Sequence, residues 1–340
     1  MFVILFNMNR IRNRRIIIGL VLTAVLVLLL VYCLPLCERI RDDVYFLGRN
    51  MRGYSPKQIE EMLVARFAEW QQDPVEAHYI QERQVVVPEL LGYRVNIEET
   101  RNRILTASPG ESIAPVLETV YPEVVMADYP AAFIERGNPR KNEVALMINV
   151  AWGSEFLQPM LEVLAAENAW GTFFVVGRWA QEHGPLIQEI ASRGHELANH
   201  GHTDALVYTK LTPEEMENGL IEVNMLIEEL TGRKPKYFTP HKGEYNQLLL
   251  EVVSRVGMRT VLWTVDTVDW QKPGVEKMKN KILQKLTAGG IILMHPTADT
   301  VIFLQETIPL IKQKGFAVVT VDDLLSPERH PVLFELSVAR

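Results

Sequence analysis

From position 142 onward the chain alternates short apolar runs with longer amphipathic stretches, and this pattern constrains its fold more than any other feature. The apolar runs fall at 144–150, 171–176, 195–199, 237–239, 259–264, 290–294 and 317–321. Each is too short for a helix and is bounded by polar or glycine-containing segments, as buried parallel strands are. Helical patterns lie between them. The one at 212–231 opens Thr212-Pro213-Glu214-Glu215, a capping box with proline at the first helical position. Gly257, Gly289 and Gly315 punctuate element ends. Strand–helix alternation of this kind predicts an α/β fold with a parallel sheet, doubly wound or closed into a barrel, whose chemistry sits at the C-terminal ends of the strands.

The first 141 residues are organised differently. Residues 16–36 carry no charge, and about 20 apolar residues suffice to cross a bilayer. The preceding segment 1–15 holds Arg10, Arg12, Arg14 and Arg15 and no acid, so the positive-inside rule keeps it cytoplasmic and sends the rest of the chain outward. The apolar run ends Tyr32-Cys33-Leu34-Pro35-Leu36-Cys37, without the small residues of a cleavage site, so it reads as an uncleaved signal anchor with the membrane as its partner. Both cysteines lie here, and the exported part can form no internal disulfide. The whole chain carries 35 Lys and Arg against 42 Asp and Glu, which excludes nucleic acid as a partner, since phosphate binding needs clustered positive charge. At 340 residues there is chain for about two folded units.

Residues 38–128 read as a small α+β module. Ser55 before Pro56 is a helix N-cap, followed by Ile59, Met62, Leu63, Phe67 and Trp70 at helical spacing; 84–87 and 88–95 read as extended, and 97–105 as a second helix. The run Glu89-Leu90-Leu91-Gly92-Tyr93 before an acid-rich helix start resembles small modules suspected of binding peptidoglycan. Residues 129–141, with Pro130, Gly137, Asn138 and Pro139, read as a linker, and 326–340 as a C-terminal tail.

Polar residues gather at the expected strand ends: Asn149; Asn199 to Asp204; Thr239, Pro240, His241 and Lys242; Asp266, Asp269 and Trp270; and His295. Their convergence on one rim marks a candidate site. The segments VALMINVAWGSE, GTFFVVGRWA, GHELANHGHTD, PKYFTPHKGEYN, VLWTVDTVDW and GGIILMHPT also resemble, in order, the motifs of the NodB-homology polysaccharide deacetylases, carbohydrate esterase family four. The likeness covers 142–325 and is greatest to the membrane-anchored, sporulation-associated members of endospore-forming bacteria. It implies a distorted seven-stranded (β/α) barrel and metal-dependent deacetylation of an N-acetylated glycan, peptidoglycan or chitin-like.

Taken residue by residue, the resemblance is uneven. The family's first motif, TFDDG, supplies a base and a metal-binding aspartate; Asn149 and Val150 stand there. Of its two histidine ligands spaced four apart, His200 matches and Asp204 occupies the second place, with His202 between; Thr239 replaces an arginine. The fourth motif, Asp266 to Trp270, and the fifth, with His295 at the acid's position, match. The resemblance thus makes His295, Asp266 and Asp269 the catalytic candidates and Pro240, Trp263 and Trp270 the substrate-binding ones, with Trp152 as a further stacking wall.

An asparagine amide cannot take a proton from water and valine cannot ligate, so a divalent metal such as zinc is expected to be weakly bound or absent. One alternative stands: in His200-Gly201-His202, alternate residues of an extended segment point the same way, and with Asp204 they would form a rearranged ligand set. Two readings follow: an envelope protein that binds cell-wall or spore-envelope glycan with little catalysis, or an active metal-dependent hydrolase built on the rearranged set.

Overall fold

The structure, a computed structural model, describes residues 39–67 and 70–329. The basic segment 1–15, the apolar run 16–36 and the end of the tail lie outside the described residues; among the described residues no helix is long and apolar enough to cross a membrane.

The chain divides into two compact units. The described part of the first comprises segments within 39–73 and 92–120. Its helix Pro56–Phe67 starts where Ser55 and Gln58 cap each other, the Gln58 N–H donating to Ser55 Oγ at 3.3 Å and the Ser55 N–H to Gln58 Oε1 at 3.0 Å. A second helix, Ile97–Thr106, is capped by Asn96, and Ile59, Leu63, Phe67 and Ile104 close with Phe46, Met51 and Val95 into a small core.

The second unit comprises 74–91 and 121–330. The division differs from the sequence reading, which assigned 74–91 and 121–128 to the small module and 129–141 to a linker. In the structure His78–Ile80 and Val85–Val87 form an antiparallel hairpin within this unit. Phe133 bridges Val85, Ile134 bridges Val261, and Arg136 bridges Gly290.

The principal sheet is all parallel. Its strands are β1 (Glu143–Val150), β2 (Gly171–Val175), β3 (Glu196–Asn199), β4 (Tyr237–Phe238), β5 (Arg259–Thr260), β6 (Val265–Asp266), β7 (Ile291–Met294) and β8 (Ala317–Val319). They pair in the order β5-β4-β3-β2-β1-β7-β6, while β8 pairs with the first half of β1. The run expected as one strand over 259–264 is broken: β5 and the short β6 do not pair, and the segment around Ile134 occupies the break, its N–H donating to Thr260 O at 2.9 Å and its carbonyl accepting from Leu262 N at 2.7 Å. The result is a half-barrel of parallel strands rather than a closed ring.

Residues on β1 alternate. Val144, Leu146, Ile148 and Val150 pack with the helices, among them α1 (Ser154–Ala166), α2 (Pro213–Thr231) and α3 (Ala298–Gln313). Ala145 and Met147 pack with Phe174, Ala198, Val261 and Leu293 on the opposite face. Strand polarity and this alternation bring Asn149, at the end of the inward-facing row, to the rim, and leave Val150 fully buried among helix side chains.

Candidate active-site cavity

A cavity of about 550 Å³ opens at the C-terminal ends of the strands, lined by residues that include Asn149, Trp152, His200, Asp204, His241 and His295. A smaller one of about 350 Å³ lies at the other end of β3, around His195, Glu196 and Asp322. The first carries the convergent polar groups and is the candidate site.

The loop after β1 is shaped by Gly153, at φ +81°, where a Cβ would lie 2.2 Å from the Pro296 carbonyl oxygen. Only glycine allows that approach. It brings the half-exposed Trp152 ring nearly parallel to His295, at 5.9 Å between centroids.

His200 follows β3. Asn199, fully buried, donates to Leu220 O and Asn224 Oδ1 and accepts from Gly201 N at 2.7 Å, which fixes the turn. His200 Nδ1 lies 2.8 Å from Thr239 O; a carbonyl only accepts, so Nδ1 carries the proton and Nε2 the lone pair. Burial, reinforced by His241, holds this imidazole's pKa well below its ordinary value. The His241 ring sits 4.1 Å from it and is also depressed, chiefly by burial.

The expected alternation through His200-Gly201-His202 does not occur. β3 ends at Asn199, and Gly201 adopts φ +82° with the Tyr208 ring 2.6 Å from where its Cβ would be. The chain turns, and His202 faces Glu222 on α2, at 3.4 Å from Nδ1 to Oε2. His200 and Asp204 line the cavity; His202 does not. Among the described residues no group of three or more His, Cys, Asp or Glu converges to hold a metal.

The opposite wall is densely bonded. Asp266 Oδ1 accepts from Val268 N at 2.7 Å, and Val268 adopts φ +59°, a conformation that costs a β-branched residue on the order of 1 kcal/mol or more. This turn delivers Asp269, fully buried, whose Oδ1 accepts from Trp270 N and His295 Nδ1 (each 2.9 Å) and whose Oδ2 accepts from His295 N (2.6 Å) and Thr300 Oγ1 (2.7 Å). Asp269 thus lies beneath the cavity and orients His295. Trp263 and Trp270 form apolar wall, while Pro240, expected to bind substrate, is buried and does not line the cavity.

The structure therefore brings together Asn149, Trp152, His200, Asp204, Lys242, Trp263, Asp266, Trp270 and His295, all of them named from the sequence. His241 was visible in the sequence only as one more strand-end histidine; its contact with His200 depends on two loops meeting.

This chain is similar to known proteins across the same region. The family model described as polysaccharide deacetylase matches residues 136–261. YlxY of Bacillus subtilis is 37% identical over 243 residues, 72% of this chain and 76% of the relative. A peptidoglycan-N-acetylglucosamine deacetylase of Bacillus cereus is 30% identical over 172 residues, 49% and 80% of the two chains. The crystal structure of wild-type BA3943, a CE4 family pseudoenzyme from Bacillus anthracis, superposes with a TM-score of 0.69 at 29% identity, over 80% of this chain and 96% of that one. A mutant of that pseudoenzyme with restored enzymatic activity superposes equally well, at 28% identity over 80% and 99%. The chain belongs to the polysaccharide deacetylase family, carbohydrate esterase family four.

Proposed function

We propose that this family member is a glycan-binding protein of the cell or spore envelope that hydrolyses little or nothing, held to the membrane by residues 16–36 with its deacetylase-type unit outside the cytoplasm. The observation that carries the reading is the state of β1: where the family has a base and a metal-binding aspartate, Asn149 presents an amide and Val150 is packed fully buried against helices. The metal the family implies does not fit these residues. Val150 offers no donor, His202 is turned to Glu222, and His200 and Asp204 remain as two of the three protein ligands a catalytic zinc usually keeps. No hydrolytic step is therefore assigned.

The walls support glycan binding. Trp270 and Trp152, 55% and 44% exposed, flank a polar floor, the arrangement that stacks a sugar ring while orienting its polar substituents. The pseudoenzyme BA3943, similar over most of this chain, supports the loss of catalysis by analogy.

The test is acetate release from an N-acetylglucosamine tetramer together with the metal content of dialysed protein. Neither acetate nor stoichiometric zinc is expected. Acetate release that disappears in His295→Ala would overturn the reading. For the topology, a reporter fused after Arg340 is expected to be active only outside the cytoplasm; a soluble mature form beginning near Glu38 would refute the anchor.

A further inference from the structure

The hydrogen-bonding capacity of the cavity is lopsided. His200 commits its Nδ1 proton to the Thr239 carbonyl, leaving Nε2 as an acceptor. The His241 ring lies against that of His200, at 4.1 Å between centroids, and its Nε2 has no partner. Asn149, 5% exposed, has an Oδ1 with no partner either. The Asp204 and Asp266 carboxylates add charge at the margin, and Lys242, exposed at the rim, is the one lysine or arginine among the lining residues. Buried polar atoms are ordinarily bonded, and two that are not, Asn149 Oδ1 and His241 Nε2, meet the free lone pair of His200 in this one cavity, a set that suits a donor-rich occupant.

Two states of an amino sugar differ in the required sense. An acetamido group offers one N–H, a carbonyl oxygen and a methyl. A free amine at neutral pH is an ammonium with three N–H donors and a positive charge, and its charge-assisted bonds are about twice as strong as neutral ones. We propose that the cavity recognises the free ammonium of a deacetylated amino sugar in preference to its N-acetylated form, with His200 Nε2, His241 Nε2 and Asn149 Oδ1 as acceptors and Asp204 as the compensating charge. The inference rests on the glycan-binding reading and names its ligand: the product of amide hydrolysis, made by some other, active deacetylase, in place of the substrate. A metal ion would use the same lone pairs, but it needs three converging ligands, which the described residues do not provide.

Calorimetric titration of the full chain in detergent with a glucosamine tetramer, an N-acetylglucosamine tetramer and a tetralysine peptide tests this. The glucosamine tetramer is expected to bind at least tenfold more tightly than either of the others. Asp204→Asn and His241→Phe are each expected to cut that preference severalfold. Equal or tighter binding of the N-acetylated tetramer would overturn the ammonium preference and leave the glycan reading standing. Tetralysine binding as tight as glucosamine would reduce the effect to net charge and also overturn it. Failure of both sugars to bind would refute the inference and the glycan reading together.

Discussion

The two walls of one cavity are built on opposite terms. On one side Asp269, with no exposed surface, accepts four hydrogen bonds, from the Trp270 and His295 backbones, the His295 ring and Thr300. On the other, Asn149 Oδ1 and His241 Nε2 have none, and neither has Thr239 Oγ1, in the residue whose carbonyl holds His200. A buried carboxylate must be fully bonded or the fold suffers, so Asp269 and its donors are needed for stability whether or not the site turns over substrate. Its agreement with the family motif is thus no evidence for catalysis. The open wall is the informative one: its polar atoms carry no bonds that folding depends on, which leaves them open to the ligand proposed above.

The sharpest way to break this comparison is Asp269→Ala. Four donors would lose their acceptor, and the expected cost is about 3–5 kcal/mol in urea unfolding. Thr300→Val, which removes one donor to the same carboxylate, is expected to cost about 2 kcal/mol. If Asp269→Ala costs less than about 1 kcal/mol, the wall is not structural and its match to the family needs a functional cause. Next in size is Val150→Asp, which places a carboxylate among Leu157, Leu161 and other helix-facing side chains. An unpaired polar group there is expected to cost about 2–4 kcal/mol, and a substitution tolerated without loss would show that position 150 can turn toward the cavity and supply a metal ligand.

A smaller effect comes from pH. His200 and His241 are held below the ordinary histidine pKa, mainly by burial. Folded, they bind fewer protons than unfolded, so stability is lost as pH falls below about 6.5 toward their folded values. Between pH 6.5 and 5 the pair is expected to contribute about 1–2 kcal/mol of that loss. At the other end of the half-barrel His195, lowered by burial to about 4, acts in the same sense. Glu196, raised by burial to about 7, acts in the opposite one, its cost being present at high pH and relieved as pH falls. The readout is therefore the difference between wild type and His200→Gln/His241→Gln, which should have a shallower acid limb; parallel curves would mean these rings are not desolvated and the open wall is wet.

Much of the second unit was legible because its signals are local. Alternation along 144–150 separates an inward from an outward row by strand geometry alone, and the Asp266-to-Trp270 turn and His295 lie next to strand ends. What escaped depended on geometry that residue identity does not carry. The sign of φ at Gly201 decided that His202 leaves the site. Proline and glycine marked 129–141 as a linker, yet Ile134 pairs into the break between β5 and β6, which no local pattern announces. The His200–His241 contact joins loops that follow different strands.

The smallest expected effect is also the cleanest contrast. Thr239→Val makes the same chemical change as Thr300→Val, replacing a fully buried hydroxyl by a methyl of the same shape. At Thr300 the hydroxyl donates to a buried carboxylate and also bonds Thr297 Oγ1, and both bonds are lost with it. At Thr239 it bonds nothing, so valine removes an uncompensated polar atom and should leave stability unchanged or raise it by up to about 1 kcal/mol. The Thr239 carbonyl, which holds His200 Nδ1, belongs to the backbone and is untouched by the change. Urea unfolding of the two variants side by side thus reads each wall with one probe. A Thr239→Val loss as large as that of Thr300→Val would mean that the Thr239 hydroxyl has a partner, a bridging water included, and would erase the asymmetry from which the ligand was inferred.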